Sequence, residues 1–484
     1  MLEISIRICY TMFMEPDVQE RERAFFEAER KRVPHLFERA SMIDSPEFLK
    51  SIGIEAIDKD LPVGYLRLFP QDFIVEEIAR SKELRTIDID SSVPDVSQEG
   101  QTWYADLVKI GISTLDAQAH LAEILGIEPR AIGFAGIKDR LALTAQAISI
   151  RNIDEVEKLQ EIRADNFFLK RIRKGKGAIA NGDLQGNRFI ITLRSPESFS
   201  ESTSLEIRKK LQNIQEEGFW NFFSFQRFGT PRLLSHKLGL YIIKGNFEGA
   251  VRLFLAHQSQ RELPYFKHIR KNIEDHWRDW ATIRTLLDPF PYHFSLELKL
   301  VNHLQEHSED FLGALQSVPD QVRLWIYAYD SYLFNKTLSR CIREGEVSLS
   351  LPLLTSFSPH DWEPYKTFLE EDGVDIPSRH YKKFPFVRVE SRTWPVLQQA
   401  EIHNLIFQDK LAIFSFSLPK GSYATSLLMN FFTLASGIPV VPGISPEQID
   451  AKNMLGLGSL RPTLDRFQKV LTLRENDLSR EFEA

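Results

Sequence analysis

Segments with the two-residue period of strands lie at both ends of this chain, and a long stretch without that period separates them. Residues 66–77 carry two apolar runs around a Pro70-Gln71-Asp72 turn. Residues 131–137 form an apolar run with Gly133 and Gly136, as in a buried strand that bends or admits a close neighbour. Residues 145–150 resume as strand, and residues 187–194 place Phe189, Ile191 and Leu193 on one face. Strand character returns only at 411–418. Between about 235 and 385 the pattern is helical, with helices expected at 235–244, 247–257, 295–315 and 321–342. Further helices are expected at 114–125, stopped by Gly126, and at 205–214, closed by Gly218. After Pro419-Lys420-Gly421, Ser422 can cap a helix running to about Ser436. The expected fold class is therefore α+β: a mixed or antiparallel sheet domain interrupted by a mostly helical insert. The division is 1–55 as a helical extension that packs on a neighbouring domain, 56–217 and 387–440 as the sheet domain, 218–386 as the insert, and 441–484 as a loop-like tail.

Composition excludes several classes. Apolar residues make up 43% and charged residues 26%, which is ordinary for a globular chain and unlike a disordered one. No apolar run approaches a membrane span. Cys9 and Cys341 cannot build a disulfide framework or a cysteine-based zinc site. The first seven residues hold Glu3 and Arg7 within an apolar stretch and lack the form of a signal peptide, so a reducing cytoplasm is the expected compartment. A net charge of −7 argues against polyanion on every face but leaves room for a local basic patch. The 35 Phe against 12 Tyr and 7 Trp fit a Phe-rich core, with a minority free to stack on bases.

Four constellations can carry chemistry. Lys170, Arg171, Arg173, Lys174 and Lys176 form a basic cluster read as a mobile loop. It precedes a strand carrying Arg188 and Arg194, which makes phosphate-backbone contact a reasonable expectation. Lys138-Asp139-Arg140 follows the glycine-bearing run. A carboxylate between two cations is favoured in its charged form and can serve as nucleophile or base; three solvated charges on a surface turn fit the same residues. His303 and His307 have the H-x-x-E-H spacing of zinc peptidases, but they also fit the polar face of a helix, and no third ligand can be named. Lys420 with the Gly421-Ser422 turn could bind phosphate at a helix start or be an ordinary cap.

Gly136-Ile137-Lys138-Asp139, with Ala142, Thr144 and Gln146, resembles the G-x-K-D-x-x-A-x-T-x-Q signature of the TruD family of RNA pseudouridine synthases. Four other segments agree in order: Pro70 to Glu77, Gly186-Asn187-Arg188-Phe189, Asn221 to Gly229, and Leu418 to Thr425. The resemblance covers roughly residues 61–435. It implies a catalytic sheet domain with a helical insert, acting on a uridine in RNA, typically uridine 13 in the D-arm of tRNA. It makes Asp139 the catalytic carboxylate, attacking the nucleoside or taking a sugar proton. Lys138 and Arg140 would hold Asp139 ionised or meet the backbone. Phe189 would stack on the uracil, Asn187 would hydrogen-bond near it, and Phe73 would form a second wall. The isomerisation gains and loses no atom, so no metal or cofactor is expected. The expected partner is RNA, most simply tRNA, with no membrane and no obligate protein partner.

The chain also departs from the family pattern. Ala178 to Asn181 replace a usual basic pair, Asp330 stands at a common Gln position, Ser224 at a Gly, and Met429-Asn430 at an Arg-Glu pair. Two other functions stay open at this point: a non-catalytic RNA-binding protein on the same fold, and a zinc peptidase built on His303 and His307.

Overall fold

A computed structural model describes residues 16–475, apart from 39–41, 56–59, 91, 98, 154–155, 163, 347, 355–357, 376–381, 389 and 438–439. Cys9 and the charged start of the chain lie outside the described residues.

The strands of the first half are β1 (Met42–Ile43), β2 (Val63–Tyr65), β3 (Phe73–Ala79), β4 (Thr102–Ile110), β5 (Ile132–Phe134), β6 (Leu143–Arg151), β7 (Phe167–Gly175) and β8 (Leu184–Arg194). Short strands β9 (Phe219–Trp220), β10 (Ser350–Leu353), β11 (Arg392–Pro395) and β12 (Leu397–Gln398) make two small ribbons. The chain returns to the main sheet in β13 (Glu401–Gln408), β14 (Leu411–Pro419) and β15 (Thr433–Ser436). Among the described residues the main sheet has 11 strands, in the order β1-β15-β2-β8-β3-β6-β4-β7, with β14 and β13 beside β8 and β5 beside β6. β3–β6 and β2–β15 are parallel and the other pairs antiparallel. The mixed sheet, left and rejoined around a helical block, is the expected fold class.

The helical block runs from Ser235–Ile243 to Pro319–Glu344. The last helix has 26 residues and belongs to two cores. Trp325, Ile326 and Tyr329 pack within the helical block, whereas Ala328, Phe334 and Leu338 pack with Phe73, Phe189 and Phe416 of the sheet. The N-terminal helix Pro16–Arg32 buries Phe26 in the helical core, the packing role expected of the extension.

Several elements differ from expectation. Residues 170–175 are not a loop but part of β7, with Lys176 just beyond its end, and Phe167 and Ile172 of that strand lie in the core under the helix Thr114–Leu125. The run 131–137 is a strand only over β5. A Cβ at Gly133 would sit 2.3 Å from the Ile179 carbonyl oxygen, so the close neighbour is real. Residues 295–315 break into Ser295–Glu306 and Phe311–Gln316, because the Asp310 side chain accepts from Gly313 N and starts a new helix. After Pro419 the helix is only Ala424–Leu428 and is capped by Tyr423 without its side chain, so Ser422 is not the cap. Residues 433–436 are then a strand, held parallel to β2. The tail is not loop-like: helices Ala451–Met454, Arg461–Arg466 and Gln468–Glu475 bury Ala451, Leu460 and Phe467 against Ile74, Val108 and Ile413 on the back of the sheet.

One ion pair ties these pieces together. Arg194 donates to both Asp72 oxygens at 2.9 and 2.8 Å, and both residues are buried. Its remaining nitrogen donates to the Ser445 and Glu447 carbonyls at 3.0 and 2.7 Å. Asp72 also accepts from Phe69 N. Removing one partner leaves a buried, unpaired charge. Asp72→Ala is expected to lower unfolding stability by about 3–5 kcal/mol, read as a fall in urea midpoint at unchanged m-value.

Candidate active site

Asp139 lies in a turn between β5 and β6 that has no ladder of its own. The turn hangs instead from side chains. Lys109, fully buried on β4, donates to the carbonyls of Ile112, Lys138 and Asp139 at 2.8, 3.4 and 2.9 Å. Thr114 Oγ1 accepts from Lys138 N at 2.9 Å and donates to Gln146 Oε1 at 3.0 Å. Gln146 Nε2 donates to the Gly136 carbonyl at 2.9 Å. Burial pushes the Lys109 ammonium down to about 7, with the Asp139 charge opposing. The motif residue Gln146 thus supports the turn through Thr114 and Gly136.

The Asp139 carboxylate itself is gripped from two sides. Arg67 Nη2 donates to Oδ2 at 2.7 Å, and Gln226 Nε2 donates to Oδ1 at 3.1 Å. Asp139 keeps 35% of its side chain exposed, enough to meet a substrate. Arg67 has φ 60°, a left-handed conformation that costs a non-glycine residue about 1–3 kcal/mol and persists only when its surroundings enforce it. Its guanidinium lies 4.1 Å above the Phe73 ring. Gln226 stands on the 3-10 turn Phe225–Phe228, whose Phe225 and Phe228 are buried. The next residue, Arg227, anchors that turn to the long helix: its Nε donates to Ser331 Oγ at 2.9 Å.

Lys138 does not face Asp139. Its ammonium pairs with Glu77 at 2.8 Å, and both are buried, so the cation that faces Asp139 is Arg67 and not Lys138. The Arg140 side chain is half-buried. Phe73 and Phe189 meet edge to face at 6.1 Å, and Phe189 stacks on Phe416 at 5.4 Å. Both are buried and belong to the core beneath the sheet. Asn187 lies opposite Glu77, and its Oδ1 is buried without a hydrogen-bond partner. Gly186 before it is required by packing: a Cβ there would be 2.2 Å from the Leu418 carbonyl oxygen.

The structure divides the expected backbone-binding cations. Lys170 is buried and donates to Thr86 and to the Asp88 carbonyl. Arg171 pairs with Asp106 at 2.7 Å and Glu83 at 2.9 Å. Arg188 pairs with buried Glu76. Arg171 and Arg188 are thus ion partners of acids within the fold, and Lys170 is spent on a hydroxyl and a backbone carbonyl, because burial demands compensation for charge; the expectation placed all three on RNA. Lys420 donates to the Gly182 carbonyl at 3.0 Å, and a helix of five residues supplies no N-terminal anion site beside it. Arg173 and Lys174 lie over the rings of Tyr104 and Trp103, and Lys176 is exposed. His303 Nε2 lies 2.9 Å from Asp310 and the helix ends at Glu306, so His307 has left the helical face. Among the described residues no group of three potential metal ligands is found.

The tRNA pseudouridine synthase D (TruD) family matches residues 54–352. The chain belongs to that family. A probable tRNA pseudouridine synthase D of Methanosarcina barkeri is 33% identical over 444 residues, covering 80% of this chain and 97% of the relative. The tRNA pseudouridine synthase D of Aquifex aeolicus is 27% identical, covering 75% of this chain and 96% of its own. The crystal structure of a putative TruD from Methanosarcina mazei superposes with a TM-score of 0.62 at 27% identity, covering 81% of this chain and 98% of that one.

Within this TruD chain, sequence reasoning missed Arg67, Lys109 and Gln226. Gln226 was inside a quoted motif, which was a usable signal. Arg67 and Lys109 sit in ordinary strand-like runs and carried none. Asp330, the departure from the family pattern, is fully buried next to Arg227. Its two oxygens have no hydrogen-bond partner, and burial pushes its carboxyl up to about 8, opposed by Arg227. From about pH 4 to 8 the folded chain therefore keeps a proton that the unfolded chain releases. Stability attributable to Asp330 falls as pH rises through that window. Asp330→Asn should flatten this fall, measured as urea midpoints at pH 5 and pH 8.

Proposed function

We propose that this chain isomerises a uridine of tRNA to pseudouridine at the Asp139 carboxylate, with uridine 13 of the D-arm as the target. Family membership makes the chain a pseudouridine-forming isomerase; the position and the role of Asp139 are our reading. The observation that carries it is the two-sided grip on Asp139. A strained Arg67 and the insert's Gln226 converge on one partly exposed carboxylate above an aromatic floor. Such convergence fixes the carboxylate to within the tolerance that bond-making requires.

The reaction breaks the C1′–N1 bond, turns the uracil and forms a C1′–C5 bond. N1 gains a proton and C5 loses one, so atoms and charge balance without a redox partner. Asp139 either attacks the nucleoside or takes a proton from the sugar. Arg67 keeps its charge and orientation; Gln226 fixes the second oxygen. The base must leave its stack to arrive. Phe189 then stacks on it beside Phe73, and the unpaired Asn187 Oδ1 accepts from an N–H of the uracil. Lys138 supports the site through Glu77. A cytoplasmic setting accords with this role.

The test is unmodified tRNA incubated with purified protein, followed by nucleoside mass spectrometry with position mapping. Wild type should yield pseudouridine at position 13 of the D-arm. Asp139→Asn should yield none while binding tRNA within about twofold of wild type. Product from Asp139→Asn would overturn its role; product at another uridine would overturn the target alone. Loss of the charged grip should be milder: Arg67→Met is expected to lower kcat by about 100-fold, measured in single-turnover tRNA assays.

A further inference from the structure

The basic cluster is split by its own strand. Lys170 and Arg171 are spent on Asp106, Glu83 and backbone carbonyls, as described above. Lys174 and Lys176 are not. They line a groove of about 810 Å³ with Arg151, Asn152, Gln101 and Thr102, at the far ends of β4, β6 and β7. A second groove of about 300 Å³ adjoins it through Arg151 and Asn152 and adds Arg130. No ion pair is recorded for Arg130, Arg151 or Lys174 among the described residues; Arg151 donates to the Arg130 carbonyl at 3.1 Å. Lys176 reaches Glu99 only at 3.7 Å, with both side chains exposed, a pairing that water screens almost completely. Among the described residues the acids at the two grooves are Glu128 and Glu99, and the four cations outnumber them.

The cations are also presented in a fixed way. The Lys174 ammonium lies 5.5 Å from the Trp103 ring centroid, and Trp103 is buried, so this charge sits on a rigid aromatic support. Gly100 and Gly177 form the lip and put no side chain in the way. Gln101, Thr102 and Asn152 add polar groups of the kind that meet sugar and phosphate oxygens.

Distance separates this groove from the reacting base. Thr102 pairs with Arg151 at one end of the β4–β6 ladder, and Ile110 pairs with Leu143 at the other, next to the Asp139 turn. Eight residue steps at about 3.3 Å make a span of about 26 Å. A nucleotide held at Asp139 cannot also lie in the groove. An RNA of several helical turns can reach both.

We propose that this groove docks the phosphate backbone of the RNA substrate at a segment remote from the isomerised uridine. The proposal rests on the reading that the chain acts on tRNA. The groove reads charge and spacing, not base identity. It sets how much of a tRNA is engaged, and so separates a whole tRNA from a short fragment carrying the same uridine.

The test compares wild type with Arg151→Glu/Lys174→Glu/Lys176→Glu, and with the Gln version of the same triple variant as a milder charge loss. Full-length tRNA affinity is measured by fluorescence anisotropy across a salt series. The Glu variant should weaken binding at least tenfold near 0.1 M salt, the Gln variant less, and the slope of log Kd against log salt should drop by about 2. KM for full-length tRNA should rise at least ten times more than KM for a short stem-loop bearing the target uridine. Equal losses on both substrates, or unchanged tRNA affinity and salt slope, would overturn the proposal. If wild type binds tRNA but forms no pseudouridine, the functional reading fails, while the affinity and salt arms still decide the groove.

Discussion

A single buried ammonium, that of Lys109, makes this site possible. The turn carrying Asp139 leaves β5 after three residues and joins β6 without backbone pairing of its own. Carbonyls in such a turn need donors, because an unmet polar group in the interior costs several kcal/mol. Lys109 serves two of them, Lys138 and Asp139, together with the Ile112 carbonyl beside the turn; Gln146 serves Gly136, and Thr114 accepts from Lys138 N. The result is a rigid turn without a strand, which is what allows a carboxylate to stand clear of the sheet and remain fixed.

Around that turn the chain brings together parts that are far apart in sequence. Arg67 comes from the segment between β2 and β3, and Gln226 from the connection into the helical block. The long helix Pro319–Glu344 shares its faces between both cores and anchors Arg227, so the helical block helps to hold the sheet's carboxylate. The insert is thus part of the site's construction. Arg194 and Asp72 do similar work on the other side, binding the turn before β3 to the last helices.

Much of this was legible in the residues. The helix at 114–125 was marked by its own apolar spacing and by Gly126, which adopts φ 66°. Strand character found β8 and β14, whose apolar runs are buried on both faces over Phe189–Arg194 and Ala412–Leu418. Asp139 stood out because charge seldom follows a glycine-bearing apolar run. The basic cluster was misread as a loop for a definite reason. Charge density looks the same whether a cation is solvated or paired with an acid on a neighbouring strand, and Asp106 and Glu83 are 65 and 88 residues from Arg171. The tail was misread because its apolar residues are sparse and bury only when the back of the sheet is already present.

The sequence by itself determined the fold class, the family and the aspartate to which we assign the chemistry, since these depend on local periodicity and on contiguous motifs. The tertiary structure alone decided which cation faces that aspartate. Lys138 is its neighbour in the chain but turns to Glu77, whereas Arg67, 72 residues away, reaches its oxygen. Charges pair by proximity in space and by the cost of leaving an acid buried without a partner, and neither quantity is written in the order of residues along the chain.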